Sequence, residues 1–329
     1  MMQRALQARR EVLASSSSPP SAPHPGSRGE EGEIHFYCSS GGNAGLACAT
    51  AAAALSRRDD GVRCTCTIVV PLSTAAHMVA KLRAIGATVH QVGADWAAAD
   101  AHLREELLAR DADAGVYVPP FDHPHVWEGA ATMVDEIVRQ TAGRGIDAIV
   151  CSVGGGGLLN GIMEGVEARS REKKGWSSGG KPPHVLAVET RGADSLDASV
   201  RAGELVTLPA ITSVATSLGA RRVSARTLEW ALSGRQPPHR LDTLVVSDRD
   251  AVAGAVRFAD DARMLVEVAC GAAVAPVYNG DLRRVLGPGL SDAEWAARNV
   301  VLVICGGSNV TLETLRGYCE KFGLDGQGR

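Results

Sequence analysis

Apolar blocks and mixed blocks alternate along this chain, and the alternation predicts strands separated by helices. The apolar blocks are short and rich in Val and Ile, whereas Ala, Leu and charged residues dominate the longer blocks between them. The blocks predicted to be strands are IHFYCSS (34–40), CTIVV (66–70), TVHQVG (88–93), VYVPPFD (116–122), DAIVCSV (147–153), HVLAVET (184–190), TLVVS (243–247) and NVVLVICGG (299–307). Strands separated by helices of about 10 to 15 residues are typical of parallel sheets covered by helices.

The same pattern divides the chain into two domains of the α/β class, each a mostly parallel sheet flanked by helices. Residues 34–125 are predicted to form the smaller domain and residues 126–329 the larger one. Residues 1–14 contain no glycine or proline and are predicted to form a helix. Residues 15–33 are rich in serine, proline and glycine, a composition that cannot build a core, so we predict a disordered insertion there.

The charge balance argues against one class of binding partner, nucleic acids. The formal net charge is -3, from 34 basic and 37 acidic residues, and no basic run is interleaved with aromatic residues, which argues against nucleic-acid binding. No apolar run approaches the length of a membrane span, and the first 14 residues are amphipathic and charged, unlike a signal peptide. We therefore expect a cytoplasmic protein whose partner is neither nucleic acid nor a membrane.

The eight cysteines are scattered and do not form a repeated C-x-x-C pattern, so the sequence does not predict a zinc site. Cys64 and Cys66 lie in an apolar run where alternation would place both on one face of a strand. We interpret them as buried core residues, with a redox or metal-binding pair as the alternative.

The segment SVGGGGLLNG, residues 152–161, is the first motif with chemical content. Four glycines follow an apolar strand, and a helix is predicted to begin at Leu158. Glycines let the backbone approach a ligand closely, and their N–H groups together with the helix N-terminus favour an anion. No Gly-Lys-Ser/Thr follows, and no acidic residue ends a second strand about 20 residues later, so neither nucleotide motif fits. Phosphate binding is favoured over a merely flexible turn.

Two further glycine turns follow predicted strands. SSGGNAG, residues 39–45, combines hydroxyls, backbone N–H groups and one Asn side chain at a helix N-terminus, which suits a carboxylate. The alternative is ordinary N-capping by Ser40 or Asn43. CGGSN, residues 305–309, places Cys305 at the end of an apolar strand, where a core role is the usual interpretation.

Taken together and in this order, the three motifs resemble the fold-type II, tryptophan synthase β-like family of pyridoxal-phosphate enzymes. The resemblance is greatest to L-serine dehydratases and their L-threonine-deaminating relatives, and it extends from residue 34 to the C-terminus. Further segments that carry the resemblance are IVVP…K…AIGATV (68–89), HPHVWEGAATMVDEI (123–137), VLAVET (185–190), ITSVATSLG (211–219) and VEVACGAA (266–273).

The resemblance implies roles for particular residues. Phosphate binding is implied for the four glycines, a hydrogen bond to the cofactor ring hydroxyl for Asn43, and a position facing the pyridine nitrogen for Cys305. The positions implied for pyridoxal 5'-phosphate as a whole are Asn43, Gly154, Gly155, Gly156, Gly157, Leu158 and Cys305. The positions implied for the substrate carboxylate are Ser40, Gly41, Asn43 and Ala44. Glu189 and Ala193 match positions that help to bind a monovalent cation such as K+, with a plain ion pair of Glu189 as the alternative.

The implied activity is deamination of L-serine, and of L-threonine as a second substrate, by β-elimination. An Asp at the pyridine nitrogen would keep the ring protonated, whereas a thiol does not, which favours fast elimination over transamination. The products would be pyruvate or 2-oxobutanoate plus ammonia, in amino-acid metabolism and gluconeogenesis, and the family implies a homodimer. Other fold-type II activities, such as threonine synthase, D-serine dehydratase or a cysteine-forming sulfhydrylase, are alternatives that Ser or Thr at position 305 would have favoured.

The sequence departs from the family at the lysine that attaches the cofactor covalently. The family carries it in a Ser-x-Lys-x-Arg-Gly type motif before the first glycine turn, but no lysine of this chain precedes Ser39. The lysines present are Lys81, Lys173, Lys174, Lys181 and Lys321. Residues 1–14 resemble the helix that follows this motif, so we expect an incomplete first domain, a truncated N-terminus and an unpaired apolar sheet edge. The alternative function is therefore a cofactor-binding module or a catalytically inactive chain.

Overall fold

The chain divides into two compact units, Met1–Pro120 and Phe121–Arg329. The structure is a computed structural model. It describes residues 1–15, 32–57, 62–111, 113–141, 144–172, 176, 181–234, 240–325 and 328. The boundary was predicted after residue 125 but falls before Phe121, whose carbonyl accepts a 2.7 Å hydrogen bond from the Trp127 indole N–H. The segment that precedes the first helix of unit 2 therefore belongs to that unit.

Unit 1 contains one four-stranded parallel sheet with strand order β3-β2-β1-β4. Its strands are β1 (Glu33–Cys38), β2 (Arg63–Val70), β3 (Thr88–Gln91) and β4 (Gly115–Tyr117). Its α-helices are α1 (Met2–Ser15), α2 (Asn43–Ser56), α3 (Ala76–Ala84) and α4 (Trp96–His102). The helical segment between β3 and β4 is not a single α-helix, because a π-helical turn (Leu103–Leu107) and a 3-10 turn (Leu108–Arg110) continue α4.

Alternate residues of the central strands fill two cores in unit 1. Phe36 of β1 is completely buried in the core that contains α2 and α3, whereas the next residue, Tyr37, packs with residues of α4. Cys64 and Cys66 are both buried in the first of these cores, as predicted. The Cys66 sulfur lies 3.6 Å from that of Cys48 on α2, and both cysteines are free thiols.

Unit 2 contains a second four-stranded parallel sheet, with strand order β7-β6-β5-β8. Its strands are β5 (Ala148–Ser152), β6 (His184–Thr190), β7 (Leu241–Val246) and β8 (Val300–Leu302). Its α-helices are α5 (Pro124–Gln140), α6 (Gly157–Arg171), α7 (Ser195–Ala202), α8 (Ala225–Ser233), α9 (Asp248–Ala262), α10 (Val268–Asn279), α11 (Asp281–Leu286), α12 (Asp292–Ala296) and α13 (Leu312–Phe322). Across the described parts of both units, no helix combines the length and the apolar character that a membrane span requires.

The two central strands of unit 2 are buried on both faces, which is typical of parallel sheets covered by helices. Every residue of β5 is buried. Ile149 and Cys151 pack with residues of α6 and α8, whereas Val150 packs on the other side with residues of α9 and α10. The predicted fold class, α/β with two parallel sheets flanked by helices, is confirmed.

The strand predicted over residues 299–307 is too long. β8 ends at Leu302, and the backbone turns left-handed at Gly306 and Gly307, with φ of 74° and 105°. The predicted insertion at residues 15–33 falls almost wholly outside the described residues, although Ser15 ends α1 and Glu33 begins β1. Among the described residues, β8 pairs only with β5 and so forms one edge of the sheet.

Candidate functional site

The four glycines of unit 2 lie at the carboxyl end of the buried strand β5, where α6 begins. Gly156 is the N-cap residue of α6, with φ of 95°, and Gly157 is its first helical residue. Because Gly156 has no side chain, no capping hydroxyl or carboxylate competes for the first N–H groups of the helix. This end of a parallel sheet, with a free helix N-terminus, is where open α/β sheets bind anions.

Close packing behind the loop explains why these positions are glycines. A Cβ atom added to Gly155 would come within 2.3 Å of the Phe121 ring, and one added to Gly157 within 2.9 Å of the Phe121 carbonyl oxygen. At Gly156 an added Cβ would meet Thr227 Oγ1 at 1.8 Å. A merely flexible turn would not need such close neighbours, so the packing favours a rigid backbone cradle.

The side chain that follows the glycines has a structural role. Leu158 is only partly exposed and packs against the core that contains Leu159 and Ile162. Its predicted part in binding the cofactor can therefore come only from its backbone or from the exposed part of its side chain.

A buried carboxylate, Glu267, organises the third glycine turn. Its backbone N–H donates to the Gly306 carbonyl at 2.9 Å, and its Oε1 accepts from the Asn309 N–H at 2.7 Å. The Ser217 hydroxyl donates to its other carboxylate oxygen. An added Cβ at Gly307 would lie 2.3 Å from the Glu267 carboxylate. Sequence reasoning assigned Glu267 no role, although a single acid in the apolar run VEVACGAA was the available signal.

Cys305 is the one exposed cysteine among the described residues. Burial of its sulfur, together with the nearby Cys270 thiol, raises the pKa of Cys305 to about 11, although the residue as a whole is exposed. The thiol is therefore neutral at physiological pH. A neutral thiol can exchange a weak hydrogen bond with a ring nitrogen but cannot hold a proton on it as a carboxylate does.

The first glycine turn, in unit 1, is held by a buried serine that sequence reasoning passed over. Ser39 is fully buried, and its hydroxyl donates to Asp100 Oδ1 at 2.5 Å. The Tyr117 hydroxyl donates to the same oxygen at 2.7 Å, and the Trp96 indole N–H donates to the Ser39 carbonyl at 2.7 Å. These three contacts fix the end of β1, from which the loop begins.

The residues predicted to bind a substrate carboxylate follow directly. The Ser40 hydroxyl accepts a 3.3 Å hydrogen bond from the Gly42 N–H, and Asn43 is exposed at the first position of α2. Gly42 itself is the N-cap residue and makes no side-chain cap, so N-capping by Ser40 or Asn43 is wrong. Gly41 and Ala44 are partly exposed on either side of this N-cap.

Glu189 is the residue before the last of β6, in the interior of unit 2, and is completely buried, as is Ala193. Its carboxylate accepts the backbone N–H groups of Leu196 and Asp197 at the start of α7, each at 2.8 Å. Burial raises the pKa of Glu189 to about 8, and the two N–H donors oppose that shift only in part. The partners of this carboxylate are therefore backbone groups, not the basic side chain of a plain ion pair. No cluster of three or more metal-ligating side chains occurs in the described part of the chain.

The lysines lie away from the glycine turns in the sequence and on the surface where they are described. Lys81 is exposed on α3, Lys181 is exposed before β6, and the Lys321 ammonium lies 5.2 Å from the centre of the Phe322 ring on α13. Lys173 and Lys174 lie outside the described residues. None of the three described lysines is buried at the end of a strand.

Comparison with known proteins agrees with this arrangement. The family model for pyridoxal-phosphate dependent enzymes matches residues 23–306. A mouse protein named serine dehydratase-like is 43% identical over 282 residues, which cover 86% of this chain and 78% of that protein. A human L-serine dehydratase/L-threonine deaminase is 41% identical over 295 residues, which cover 90% of this chain and 82% of that protein. The crystal structure of a fungal L-serine ammonia-lyase from Rhizomucor miehei matches with a TM-score of 0.73 at 35% identity, covering 90% of this chain and 84% of that one.

Proposed function

Because this chain belongs to the family of pyridoxal-phosphate dependent enzymes, we propose that its reaction is the deamination of L-serine to pyruvate and ammonia. The relatives that are 41% and 43% identical carry the names of serine dehydratases, and the human one is also named a threonine deaminase. L-Threonine, which would give 2-oxobutanoate, is the second substrate of the proposal. The neutral thiol of Cys305 supports this branch of the family over threonine synthase, D-serine dehydratase or a sulfhydrylase.

The observation that carries the proposal is the packed glycine loop at the end of β5. A phosphate needs several N–H donors with no side chain between them, and residues 154–157 offer backbone N–H groups without side chains at the start of α6, which supports the proposal. The residues present therefore fit a phosphate-bearing cofactor. Pyridoxal 5'-phosphate, when bound, supplies the electron-withdrawing ring that makes the Cα–H of an amino acid acidic.

The remaining roles fall to the chain's own polar groups. In the proposal, Ser40, Gly41, Asn43 and Ala44 hold the substrate carboxylate through N–H, hydroxyl and amide groups. The Asn43 amide also holds the ring hydroxyl of the cofactor, and Cys305 lies at the ring nitrogen as a neutral partner. A neutral partner leaves the ring nitrogen unprotonated, so the ring withdraws electrons less strongly. Negative charge at the substrate Cα is then short-lived, which favours loss of the β-hydroxyl.

A second candidate function, cofactor binding without turnover, is favoured by the positions of the lysines. Removal of the Cα proton needs a base, which in the family resemblance is the covalently attached lysine. The described lysines are exposed and lie outside the three glycine turns. The second candidate is therefore that the chain holds the cofactor by its phosphate without turnover.

One experiment separates the two candidates. The purified chain is mixed with pyridoxal 5'-phosphate, and pyruvate and ammonia are measured after addition of L-serine or L-threonine. A parallel sample is reduced with borohydride, and pyridoxyl adducts are located by peptide mass mapping. Turnover with one stoichiometric lysine adduct identifies a complete enzyme. Saturable cofactor binding with neither turnover nor a single adduct identifies the binding module, and absence of binding would contradict both.

Three further parts of the proposal concern a bound cation, the oligomeric state and the cellular setting. A monovalent cation such as K+ would lie beside Glu189 and Ala193, where a carboxylate with a raised pKa would gain from a nearby positive charge. If the cation binds at this site, added K+ should raise the unfolding temperature more at pH 8.5 than at pH 6, with choline as the control ion.

A homodimer and a cytoplasmic, gluconeogenic setting follow from the family resemblance. Chromatography with light scattering tests the dimer.

A further inference from the structure

Three polar side chains lie in the interior of unit 2, directly behind the glycine loop. Asn160 and Thr227 have no exposed surface, and Ser224 is 2% exposed. Asn160 lies one turn into α6, Ser224 is the N-cap residue of α8, and Thr227 lies in the first turn of α8. Asn160 is separated from the other two by more than sixty residues in the chain, so only the folded structure brings it to them.

Their hydrogen bonds close into a ring. The Thr227 hydroxyl donates to Asn160 Oδ1 at 2.9 Å, and the Asn160 amide donates to Ser224 Oγ at 2.9 Å. The Ser224 and Thr227 hydroxyls lie 2.8 Å apart, which lets Ser224 donate to Thr227 and complete the circuit. With that direction, each hydroxyl donates once and accepts once within the ring.

The ring touches the glycine loop at two points. Thr227 Oγ1 occupies the space that a side chain at Gly156 would need, since an added Cβ would lie 1.8 Å from it. The Ser224 N–H donates to the Gly155 carbonyl at 3.1 Å. The ring therefore contacts the backbone at the two residues that precede the first turn of α6.

Stability alone does not account for this ring. A buried hydrogen-bonded set can often be replaced by apolar side chains of similar shape at little cost, so burying three polar groups is not required for packing. Capping of α8 by Ser224, which accepts from the Thr227 N–H at 3.2 Å, explains the serine. It does not explain the buried Asn160 amide or the buried Thr227 hydroxyl.

We propose that Asn160, Ser224 and Thr227 are positioning residues that hold the backbone N–H groups of residues 155–157 in the geometry that binds the cofactor phosphate. The ring has directional bonds and fixed distances, so it locks the left-handed conformation at Gly156 more narrowly than apolar contacts would. This inference rests on the proposed role of the glycine loop as the phosphate site. The ring does not touch the phosphate and acts through Gly155 and Gly156.

The test measures phosphate-dependent affinity in the full chain. Pyridoxine 5'-phosphate and pyridoxine are titrated by calorimetry, because the two ligands differ only in the phosphate and neither has an aldehyde that reacts with lysines. Thr227→Val removes the hydroxyl and keeps the shape of the side chain, whereas Thr227→Ser keeps the hydroxyl. Thr132→Val is the matched control, since the exposed Thr132 hydroxyl bonds only the Gly129 carbonyl of its own helix. Thermal unfolding is recorded for every variant.

We expect Thr227→Val to weaken pyridoxine 5'-phosphate about tenfold with no change in the affinity for pyridoxine. Thr227→Ser should stay within about threefold of the original chain, and Thr132→Val should be unchanged. Should Thr227→Val not fold, the isosteric apolar pair Asn160→Leu with Thr227→Val replaces it, and the same loss is expected.

Three results would overturn the inference, and they differ in what else they overturn. If the folded Thr227→Val variant, or the apolar pair, binds pyridoxine 5'-phosphate normally, the ring has no positioning role while the phosphate site stands. If Thr227→Val and Thr227→Ser lose affinity equally, the hydroxyl is irrelevant and the ring hypothesis fails. If the original chain binds pyridoxine as tightly as its phosphate, the proposed phosphate site fails, and the inference with it.

Discussion

The N-cap glycines of the two turns, Gly156 and Gly42, look alike in the sequence but have different surroundings. Behind residues 154–157 of unit 2, an aromatic ring and a threonine hydroxyl lie so close that a methyl group would not fit. In unit 1, an added Cβ at Gly42 would meet nothing nearer than Ser40 Oγ at 3.9 Å, although one at Gly45, inside α2, would lie 1.9 Å from the Ser40 carbonyl oxygen. The end of β1 before Gly42 is fixed by the hydrogen bonds of the buried Ser39 to Asp100 and Trp96.

The difference shows that glycine can serve two purposes at the N-cap of a helix. Gly156 is required by the Thr227 hydroxyl packed behind it and by its left-handed backbone, whereas the space around Gly42 would admit a side chain. In unit 1, polar side chains beside the turn also fix the end of β1. A rigid backbone cradle suits a phosphate, which is the same for every turnover, whereas a turn with adjacent hydroxyl and amide groups suits a substrate.

The largest expected effect comes from matched alanine substitutions in the two turns. Gly156→Ala should lower the free energy of unfolding by about 2 kcal/mol or more, because alanine is strained at φ of 95° and overlaps Thr227. Binding of pyridoxine 5'-phosphate should fall at least about a hundredfold. Gly42→Ala should change the stability by less than about 0.5 kcal/mol. Calorimetric titration and denaturant unfolding give both values, and equal tolerance at the two positions would contradict the comparison.

The next largest effect is expected from breaking the hydrogen bonds of Asp100 with Ser39 and Tyr117, which we call the polar anchor of unit 1. Asp100→Ala should cost about 2–3 kcal/mol, because both Ser39 and Tyr117 lose a charged acceptor, and Tyr117→Phe about 1 kcal/mol. Trp96 is the single tryptophan of unit 1, and its indole bonds Ser39, so its fluorescence reports on the anchor.

The controls for this anchor are specific. Asp95→Asn on the same helix should be neutral, because Asp95 only caps α4 and asparagine caps equally well. The ratio of the affinities for pyridoxine 5'-phosphate and for pyridoxine should stay unchanged in Asp100→Ala, since the proposed phosphate site lies in unit 2. A tenfold fall in that ratio would break the distinction between the two turns.

A carboxyl group of unit 2 should make the stability of that unit fall as the pH rises. The pKa of Glu189 is raised to about 8, from an ordinary 4.5, so the folded state binds this proton more tightly than the unfolded state. The contribution of this proton to the free energy of unfolding is complete below pH 4.5 and is lost as the pH rises through 8. The unfolding temperature followed by the unit 2 tryptophans should fall between pH 6 and 8.5, and Glu189→Gln should flatten that slope. If the unfolding temperatures of the original chain and of Glu189→Gln fell equally with pH, the assignment of the pH effect to Glu189 would be contradicted.

The smallest expected effect concerns the third glycine turn, which exposes a thiol. With a pKa of about 11, Cys305 should react slowly with iodoacetamide at pH 7 and roughly tenfold faster per pH unit up to about pH 10. Mass spectrometry of alkylated peptides follows the rate, with Cys305→Ser as the control that leaves the partly exposed Cys319. A rate that begins to level off near pH 9 would show an ordinary thiol.

The sequence was sufficient for those parts of the fold that depend on neighbouring residues. Periodicity located the buried strand β5, and the four glycines marked its junction with α6 within one residue. The anchors of the turns could not be predicted, because Ser39 and Asp100 lie 61 residues apart and Asn160 and Ser224 lie 64 apart. Such pairs meet only through the order of strands in the sheet.

Other misses have local causes. The strand ending at Leu302 was predicted too long, because the apolar run continues to Ile304 while left-handed Gly306 and Gly307 turn the chain away. Glu267 went unassigned because a single acid in an apolar run does not reveal its partners. The roles of Asn43, Cys305, Glu189 and Ala193 toward ligands stay predictions that rest on the family resemblance.

The most direct test of the account is a crystal structure of the chain grown with pyridoxal 5'-phosphate. We predict that the phosphate lies at the N-terminus of α6, within hydrogen-bonding distance of the backbone N–H groups of residues 155–157. A phosphate bound elsewhere would contradict it.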